Sequence, residues 1–318
     1  MKKVLLLTAD ADNGLGSAIR DAVGSEAEVV RLPERTTEAL HALLPMCDVV
    51  VGDWSGDLPL GKQEAELGRQ LLLVQQPGAG TNFIDVDAWR AFGVPVANTP
   101  GANAESVAEW AVLAAGALCR SMFWAHNEVT GGSWPQESIL TRDCRDLAQR
   151  RVGVVGVGSI GRRCAELFGA FGCDVYVTAR SRPREPMNAT FVSLEELLPL
   201  SDVLVLAVPL TESTRGLINS DRISQLPNGA IVVNVARGAV VEDVALARAL
   251  RSKHIGGAAL DVFDVEPLPI SSPLRGFDST LLSPHVAGGS AGARASIYSM
   301  TAQNVAGALR KQTIRWTL

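Results

Sequence analysis

The stretch from Val152 to Phe171 constrains the fold more than any other part of the chain. Val152-Gly153-Val154-Val155 is a short apolar run, Gly156, Gly158 and Gly161 follow it, and Arg162 to Phe171 places apolar residues at helical spacing. The run predicts a buried strand and the spacing predicts a helix, so the chain must turn sharply between them. Glycines at those three positions allow the turn, the close approach of a pyrophosphate and tight packing of helix on strand, with the helix N-terminus facing the negative charge. Glycine-rich turns also arise for packing alone, so the motif by itself is a hypothesis of a dinucleotide site. A second strand pattern, Val175 to Thr178, leads into Ala179-Arg180-Ser181-Arg182, which holds no acid to bind a ribose 2′-hydroxyl. Arginines there accommodate a 2′-phosphate, which favours NADP(H) over NAD(H); an ordinary solvated loop is the competing explanation.

At 318 residues the chain exceeds the usual size of one domain, and two are expected. An apolar fraction of 47% against 20% charged suits a globular protein with sizeable cores. The formal net charge of -5 and the lack of any concentrated lysine or arginine block argue against a nucleic-acid partner. Met1-Lys2-Lys3-Val4-Leu5-Leu6-Leu7 resembles the start of a secretory leader. Asp10 and Asp12 interrupt it before an adequate apolar segment accumulates, so a first buried strand is the better reading. No uninterrupted apolar segment reaches membrane-spanning length. The five cysteines, Cys47, Cys119, Cys144, Cys164 and Cys173, show no metal-ligand pairs, so no metal is assigned and a reducing cytoplasm is the simplest home. Their odd count leaves room for a reactive thiol, although a buried structural role suits most of them.

Between Lys3 and about Val96, apolar runs at Val4-Leu7, Val29-Leu32, Asp48-Val51 and Leu71-Gln75 alternate with segments that can be helical. The alternation predicts a small parallel α/β lobe. Gln76-Pro77-Gly78-Ala79-Gly80-Thr81-Asn82 leaves the last of these runs and offers backbone N–H groups as an anion cradle; on local sequence alone an ordinary turn is favoured. Ala104 to Arg120, rich in alanine, predicts one long helix leading into a second lobe, and Gly131-Gly132-Ser133 marks a loop. Further strands are expected at Val203-Val208, Ala230-Val235 and Gly257-Asp261, and ligands of open α/β sheets sit at such carboxyl ends. Ala291 to Leu309 again has helical spacing and is expected to pack back on the first lobe.

Four histidines occur, His41, His126, His254 and His285, and the last stands in the distinctive Ser283-Pro284-His285-Val286-Ala287-Gly288-Gly289. A histidine at a strand exit exchanges a proton near neutral pH, which hydride transfer to a ketone requires. Glu266, in Asp264-Val265-Glu266-Pro267, stands on another predicted strand exit and is suited to orient such a histidine. Arg237, in Asn234-Val235-Ala236-Arg237-Gly238, is suited to hold a carboxylate bidentately. Each alone is more often structural or surface; three strand exits carrying Arg, Glu and His together point to chemistry.

These pieces resemble the D-isomer-specific 2-hydroxyacid dehydrogenase family over most of the chain. The matching segments are Gly78 to Asp85, Asn98-Thr99-Pro100-Gly101 with Val107-Ala108-Glu109, Gly156 to Gly161, Asn234 to Gly238, Leu260-Asp261-Val262-Phe263 with Glu266-Pro267-Leu268, and Pro284 to Gly288. The resemblance implies two Rossmann-like α/β lobes with parallel sheets: a discontinuous substrate lobe from residues 1–98 and 287–318, and a nucleotide lobe of residues 99–286 inserted between them. It implies that His285 donates the proton as hydride arrives from a nicotinamide, that Glu266 holds the imidazolium and that Arg237 binds carboxylate and carbonyl. Backbone N–H groups of Ala79 and Gly80 would grip the same carboxylate. Cofactor contacts implied are Gly156, Gly158, Ser159, Ile160, Gly161, Arg180, Ser181, Arg182, Pro209, Val235, Ala236, Asp261 and Gly288, with Asp261 on the nicotinamide carboxamide.

The family position that usually carries an NAD-selecting acid is Ala179 here, followed by Arg180, which resembles NADP-using glyoxylate and hydroxypyruvate reductases. Glu266 replaces the glutamine of related formate dehydrogenases, and the chain ends after its last helix without the regulatory extension of many phosphoglycerate dehydrogenases. The expectation is a cytoplasmic, homodimeric, NADPH-preferring reductase of a small 2-keto acid, with NAD(H) as the other cofactor it could use. Phosphite or phosphoglycerate oxidation and non-catalytic dinucleotide sensing are the alternatives. Trp54 and Ala102 either line the substrate pocket or serve packing.

Overall fold

Runs of valine and leucine without polar interruption belong in sheets covered on both faces, and the chain builds two of them. The computed structural model describes residues 1–8, 14–182 and 186–318, so Asp10 and Asp12 lie outside the described residues. The first segment comprises β1 (Lys2–Leu6), α1 (Leu15–Val23), β2 (Ala27–Arg31), α2 (Thr37–Leu43), β3 (Val49–Val51), α3 (Lys62–Leu67), β4 (Leu73–Gln75), α4 (Val86–Ala91) and β5 (Val96–Ala97). The middle segment begins with α5 (Ala104–Cys119), α6 (Met122–Thr130), β6 (Arg151–Val155), α7 (Ser159–Ala170), β7 (Asp174–Thr178), β8 (Thr190–Phe191) and α8 (Leu194–Leu200). It continues through β9 (Val203–Leu206), α9 (Ser220–Ser224), β10 (Ala230–Asn234), α10 (Asp243–Arg251), β11 (Ile255–Leu260) and β12 (Thr280–Leu282), and α11 (Ala291–Leu309) follows.

Two compact units result, residues 1–103 with 290–318, and residues 104–289. The expected divisions after residues 98 and 286 fall a few residues short, for a visible reason. The Thr99 N–H donates to the Gly78 carbonyl at 3.1 Å, keeping the chain beyond β5 with the first unit. The N–H groups of Val286 and Ala287 donate to Asp261, keeping that stretch with the second.

In the first unit the strand order is β2-β1-β3-β4-β5, parallel throughout. Alternation along β1 feeds both faces: Val4 and Leu6 pack with Leu15 and Ile19 of α1 and Ala302 and Val305 of α11, while Leu5 packs with Leu40 and Trp89 on the other side. The last helix thus completes the layer begun by the first.

In the second unit the order is β12-β11-β10-β9-β6-β7-β8, again parallel. Val203 and Val205 join the core under α5 and α7, and Leu204 and Leu206 join the core under α8 and α10. Each such side chain, fully withdrawn from water, contributes roughly 1.5–3 kcal/mol. From β6 the chain winds outward to β8 and then returns to β9 and winds the other way. β6 and β9 therefore flank the topological switch point, where the carboxyl ends of an open sheet leave a ligand crevice.

Candidate active site

The exits of β10, β11 and β12 carry the three residues singled out as a triad. After β10, the buried Asn234 folds the turn with its own side chain: its amide donates to the Arg237 carbonyl at 3.0 Å and its oxygen accepts from the Ala236 N–H at 3.0 Å. Arg237 is largely withdrawn from solvent, its Nη1 donating to the Ala236 carbonyl at 2.6 Å. Burial holds this guanidinium below its usual value, and the Glu266 carboxylate works in the opposite direction, which places the two groups in one electrostatic neighbourhood. The next residue, Gly238, lies so close to the Phe263–Asp264 backbone that an added Cβ would stand 1.8 Å from the Phe263 carbonyl carbon. Only glycine lets the β10 exit nest against the β11 exit.

Beyond β11, Glu266 Oε1 accepts from the Phe263 N–H at 2.9 Å, leaving Oε2 to meet His285 Nδ1 at 2.9 Å. A carboxylate can only accept, so Nδ1 carries the hydrogen and Nε2 is the nitrogen free to exchange a proton. The pair is open to solvent, at 48% for the His285 side chain and 39% for Glu266. His285 has φ of 56°, a left-handed backbone that costs an ordinary L-residue roughly 1–2 kcal/mol.

Asp261, at the end of β11, is 2% exposed, and its carboxylate accepts three bonds: Ser283 Oγ at 2.6 Å and Val286 N–H at 2.8 Å on Oδ1, and Ala287 N–H at 2.8 Å on Oδ2. Within the protein Asp261 faces the loop that carries His285.

At the switch point, Gly156 has φ of 99° and an added Cβ there would meet the Ala207 carbonyl oxygen at 2.5 Å. Gly161 lies against the Gly156 carbonyl, where a Cβ would stand at 1.8 Å. Gly158 differs, because nothing in the protein lies within 4 Å of the Cβ it lacks. Two of the glycines are thus required by the protein's own packing and the third borders open space. Ser159 and Ile160 form the first turn of α7. A bare loop at the N-terminus of a 12-residue helix suits the pyrophosphate of a dinucleotide. At the exit of β7, Arg180, Ser181 and Arg182 are exposed, with the Arg182 guanidinium 5.9 Å from the Phe191 ring centroid. Pro209 follows β9, its carbonyl accepting from Thr214 Oγ1 at 2.7 Å; Val235 and Ala236 are buried after β10, and Gly288 follows the His285 loop.

In the first unit, the Gly78–Gly80 loop leaves β4 with its carbonyls occupied: Gly78 O accepts from Thr99 N–H at 3.1 Å and Ala79 O from Asn98 Nδ2 at 2.8 Å. Among the described residues nothing accepts from the N–H of Ala79 or Gly80. Donors without an acceptor in the protein are what an anion cradle requires. Trp54, 38% exposed, follows β3 in the same unit. Asn98 and Asn234 were not assigned roles from sequence, although an asparagine at a strand exit is the usual signal of a side chain that shapes a turn.

Four cysteines are buried and Cys144 is half-buried. Burial pushes the thiols of Cys47 and Cys173 up to about 11 and that of Cys164 up to about 12, which keeps them protonated and unreactive. No helix among the described residues is long and apolar enough to cross a membrane.

Comparison with known proteins matches residues 112–287 to the family described as D-isomer specific 2-hydroxyacid dehydrogenase, NAD binding domain. A D-3-phosphoglycerate dehydrogenase of Haemophilus influenzae is 41% identical over 223 residues, which are 69% of this chain and 54% of that protein, so the match spans about half of the relative's length. A glyoxylate reductase of Aeropyrum pernix is 37% identical over 249 residues, 74% of this chain and 72% of that one. The crystal structure of a glyoxylate reductase from Paecilomyes thermophila superposes with a TM-score of 0.90 at 25% identity, covering 100% of this chain and 98% of that chain. With the family's domain matched over more than half its length, the chain belongs to the D-isomer-specific 2-hydroxyacid dehydrogenases.

Proposed function

We propose that the protein is an NADP(H)-preferring reductase of a small 2-keto acid, glyoxylate or hydroxypyruvate. The observation that carries this reading is the Glu266–His285 contact at 2.9 Å, with the half-buried Arg237 in the same electrostatic neighbourhood. The named relatives from Aeropyrum pernix and Paecilomyes thermophila are glyoxylate reductases, which supports the substrate class. The Gln76–Asn82 loop contains no lysine or arginine to meet a substrate phosphate, which favours a small keto acid over a phosphorylated one.

The nicotinamide dinucleotide supplies the hydride when bound. Gly156, Gly158 and Gly161 with the first turn of α7 would hold its pyrophosphate, and Arg180 with Arg182 would take the 2′-phosphate. His285 Nε2 gives its proton to the substrate's carbonyl oxygen, leaving a neutral imidazole; Glu266 stabilises the imidazolium before that transfer and takes no proton itself. Arg237 holds the substrate's carboxylate through charge-assisted hydrogen bonds from its half-buried guanidinium. Within the first unit, the N–H groups of Ala79 and Gly80 are suited to accept an anion. We assign the protein to the cytoplasm, a setting that its five free cysteines suit. We assign a homodimer, supported by exposed apolar residues Leu113, Met122 and Val129 on α5 and α6.

The test is oxidation of NADPH and NADH in parallel with glyoxylate, hydroxypyruvate, 3-phosphohydroxypyruvate and a bulkier 2-keto acid. Faster turnover of NADPH with a two- or three-carbon keto acid is the expected result. Turnover with NADH alone overturns the cofactor preference, and absence of turnover with every pair overturns the reaction.

A further inference from the structure

We infer that Asp261 is a positioning residue for His285, acting by clamping the loop that carries it; the catalytic consequence rests on the function proposed above. Four bonds tie residues 283–287 to this one buried residue. Its backbone carbonyl accepts the His285 N–H at 2.8 Å. Its carboxylate accepts the Ser283 hydroxyl and the N–H groups of Val286 and Ala287 at 2.6, 2.8 and 2.8 Å. The bonds fall on both sides of His285, whose φ of 56° is a conformation an L-residue holds only when its surroundings impose it.

The geometry links cause to effect. Turning the backbone left-handed at His285 brings the two following N–H groups onto one carboxylate, and that carboxylate in return stabilises the turn. The same turn sends the imidazole to Glu266 Oε2, fixing which nitrogen bears the exchangeable proton. Without the carboxylate, Val286 and Ala287 lose their acceptor, His285 relaxes towards negative φ, and the ring swings away from Glu266.

Asp261→Asn keeps the shape and replaces one acceptor with a donor that opposes a backbone N–H. Hydrogen exchange of the peptide covering residues 283–289 in the free protein reports the clamp without reference to activity, and about tenfold faster exchange there, with residues 152–161 unchanged, is expected. In the same variant kcat falls about 100-fold while the NADPH dissociation constant, titrated without substrate, stays within about threefold of wild type. Unchanged exchange overturns the clamp. So does a Kd weakened by about tenfold with kcat unchanged, which makes Asp261 a cofactor contact instead. Ser283→Ala removes a single donor and carries the test if the first variant does not fold: about threefold faster exchange of the segment supports the clamp, and no change overturns it. A wild-type protein inert on every keto acid defeats the proposed function, and the exchange measurement still decides the clamp.

Discussion

Gly238→Ala inserts one methyl group where the β10 exit touches the β11 exit. The added Cβ would meet the Phe263 carbonyl carbon at 1.8 Å, the Asp264 nitrogen at 2.1 Å and the Phe263 oxygen at 2.3 Å. All three are backbone atoms, so no side chain can rotate away. Ordinary contact begins at 3.4 Å, and the two loops must separate by about 1.6 Å to restore it. Phe263 is the residue whose N–H holds Glu266 Oε1, so the displacement passes to Glu266 and through it to His285, while Arg237 stays with β10. A misplacement near 1 Å costs on the order of 100-fold in rate, about 2.7 kcal/mol of barrier, and overpacking of this kind costs about 1–3 kcal/mol of stability. The assay is kcat/KM for NADPH-dependent glyoxylate reduction, with Tm measured alongside. Retention of kcat/KM within about twofold of wild type would refute the view that close backbone nesting aligns the triad. Gly158→Ala is the contrasting change: with nothing within 4 Å of the new atom in the protein, Tm should hold while dinucleotide affinity falls.

His285→Ala should lower kcat by about 10²–10⁴-fold with the far-UV spectrum and Tm unchanged, since the side chain is half exposed; near-normal turnover removes it from proton transfer. Arg180→Ala should weaken NADPH more than NADH, and equal losses in the two dissociation constants would contradict its role at a 2′-phosphate. Asp202 offers a pH test. Burial pushes its carboxyl up, yet hydrogen bonds from the Arg151 side chain and backbone N–H, at 2.9 to 3.0 Å, outweigh burial and leave it below the ordinary carboxylate value. A depressed folded value means that the stabilisation is present above the unfolded value near pH 4 and is lost as pH falls through the folded one. Asp202→Ala should therefore lose roughly 2 kcal/mol at pH 7 and progressively less in acid, and a wild-type-minus-variant Tm gap that does not shrink in acid would refute the assignment.

Strand cores and glycine motifs were legible because local chemistry decides them. Val203 to Leu206 has to be a doubly covered strand, and α11 matches the expected Ala291 to Leu309 despite Gly292 and Gly307 near its ends, because Ser290 caps its first turn by accepting the Ala293 N–H at 3.0 Å. The helix after Gly161 begins earlier than its apolar spacing suggested, at Ser159, since the extended Gly158 caps it and cap geometry leaves no apolar signal. The two-residue strands β5 and β8 escaped notice: pairing with a neighbour, rather than their own composition, makes them strands. The sequence singles out Arg237, Glu266 and His285, of which the structure brings Glu266 and His285 into contact, but it does not show the bonds that hold their loops. The tasks of Asn234 and Asp261 depend on which backbone groups the fold brings within reach, and the necessity of Gly238 depends on a neighbouring loop 25 residues further along the chain.

The division of the first unit between the two ends of the chain has a consequence for biosynthesis. Val4, Leu6, Leu15 and Ile19 emerge early, yet the helix that covers them, with Ala302 and Val305, is made only after residues 104–289 have been translated. At about 5–20 residues per second that interval is roughly 10–40 s, long enough for the contiguous second unit to fold first. An apolar sheet face therefore waits on the ribosome for its lid, which makes this layer the place where a nascent chain would engage a chaperone.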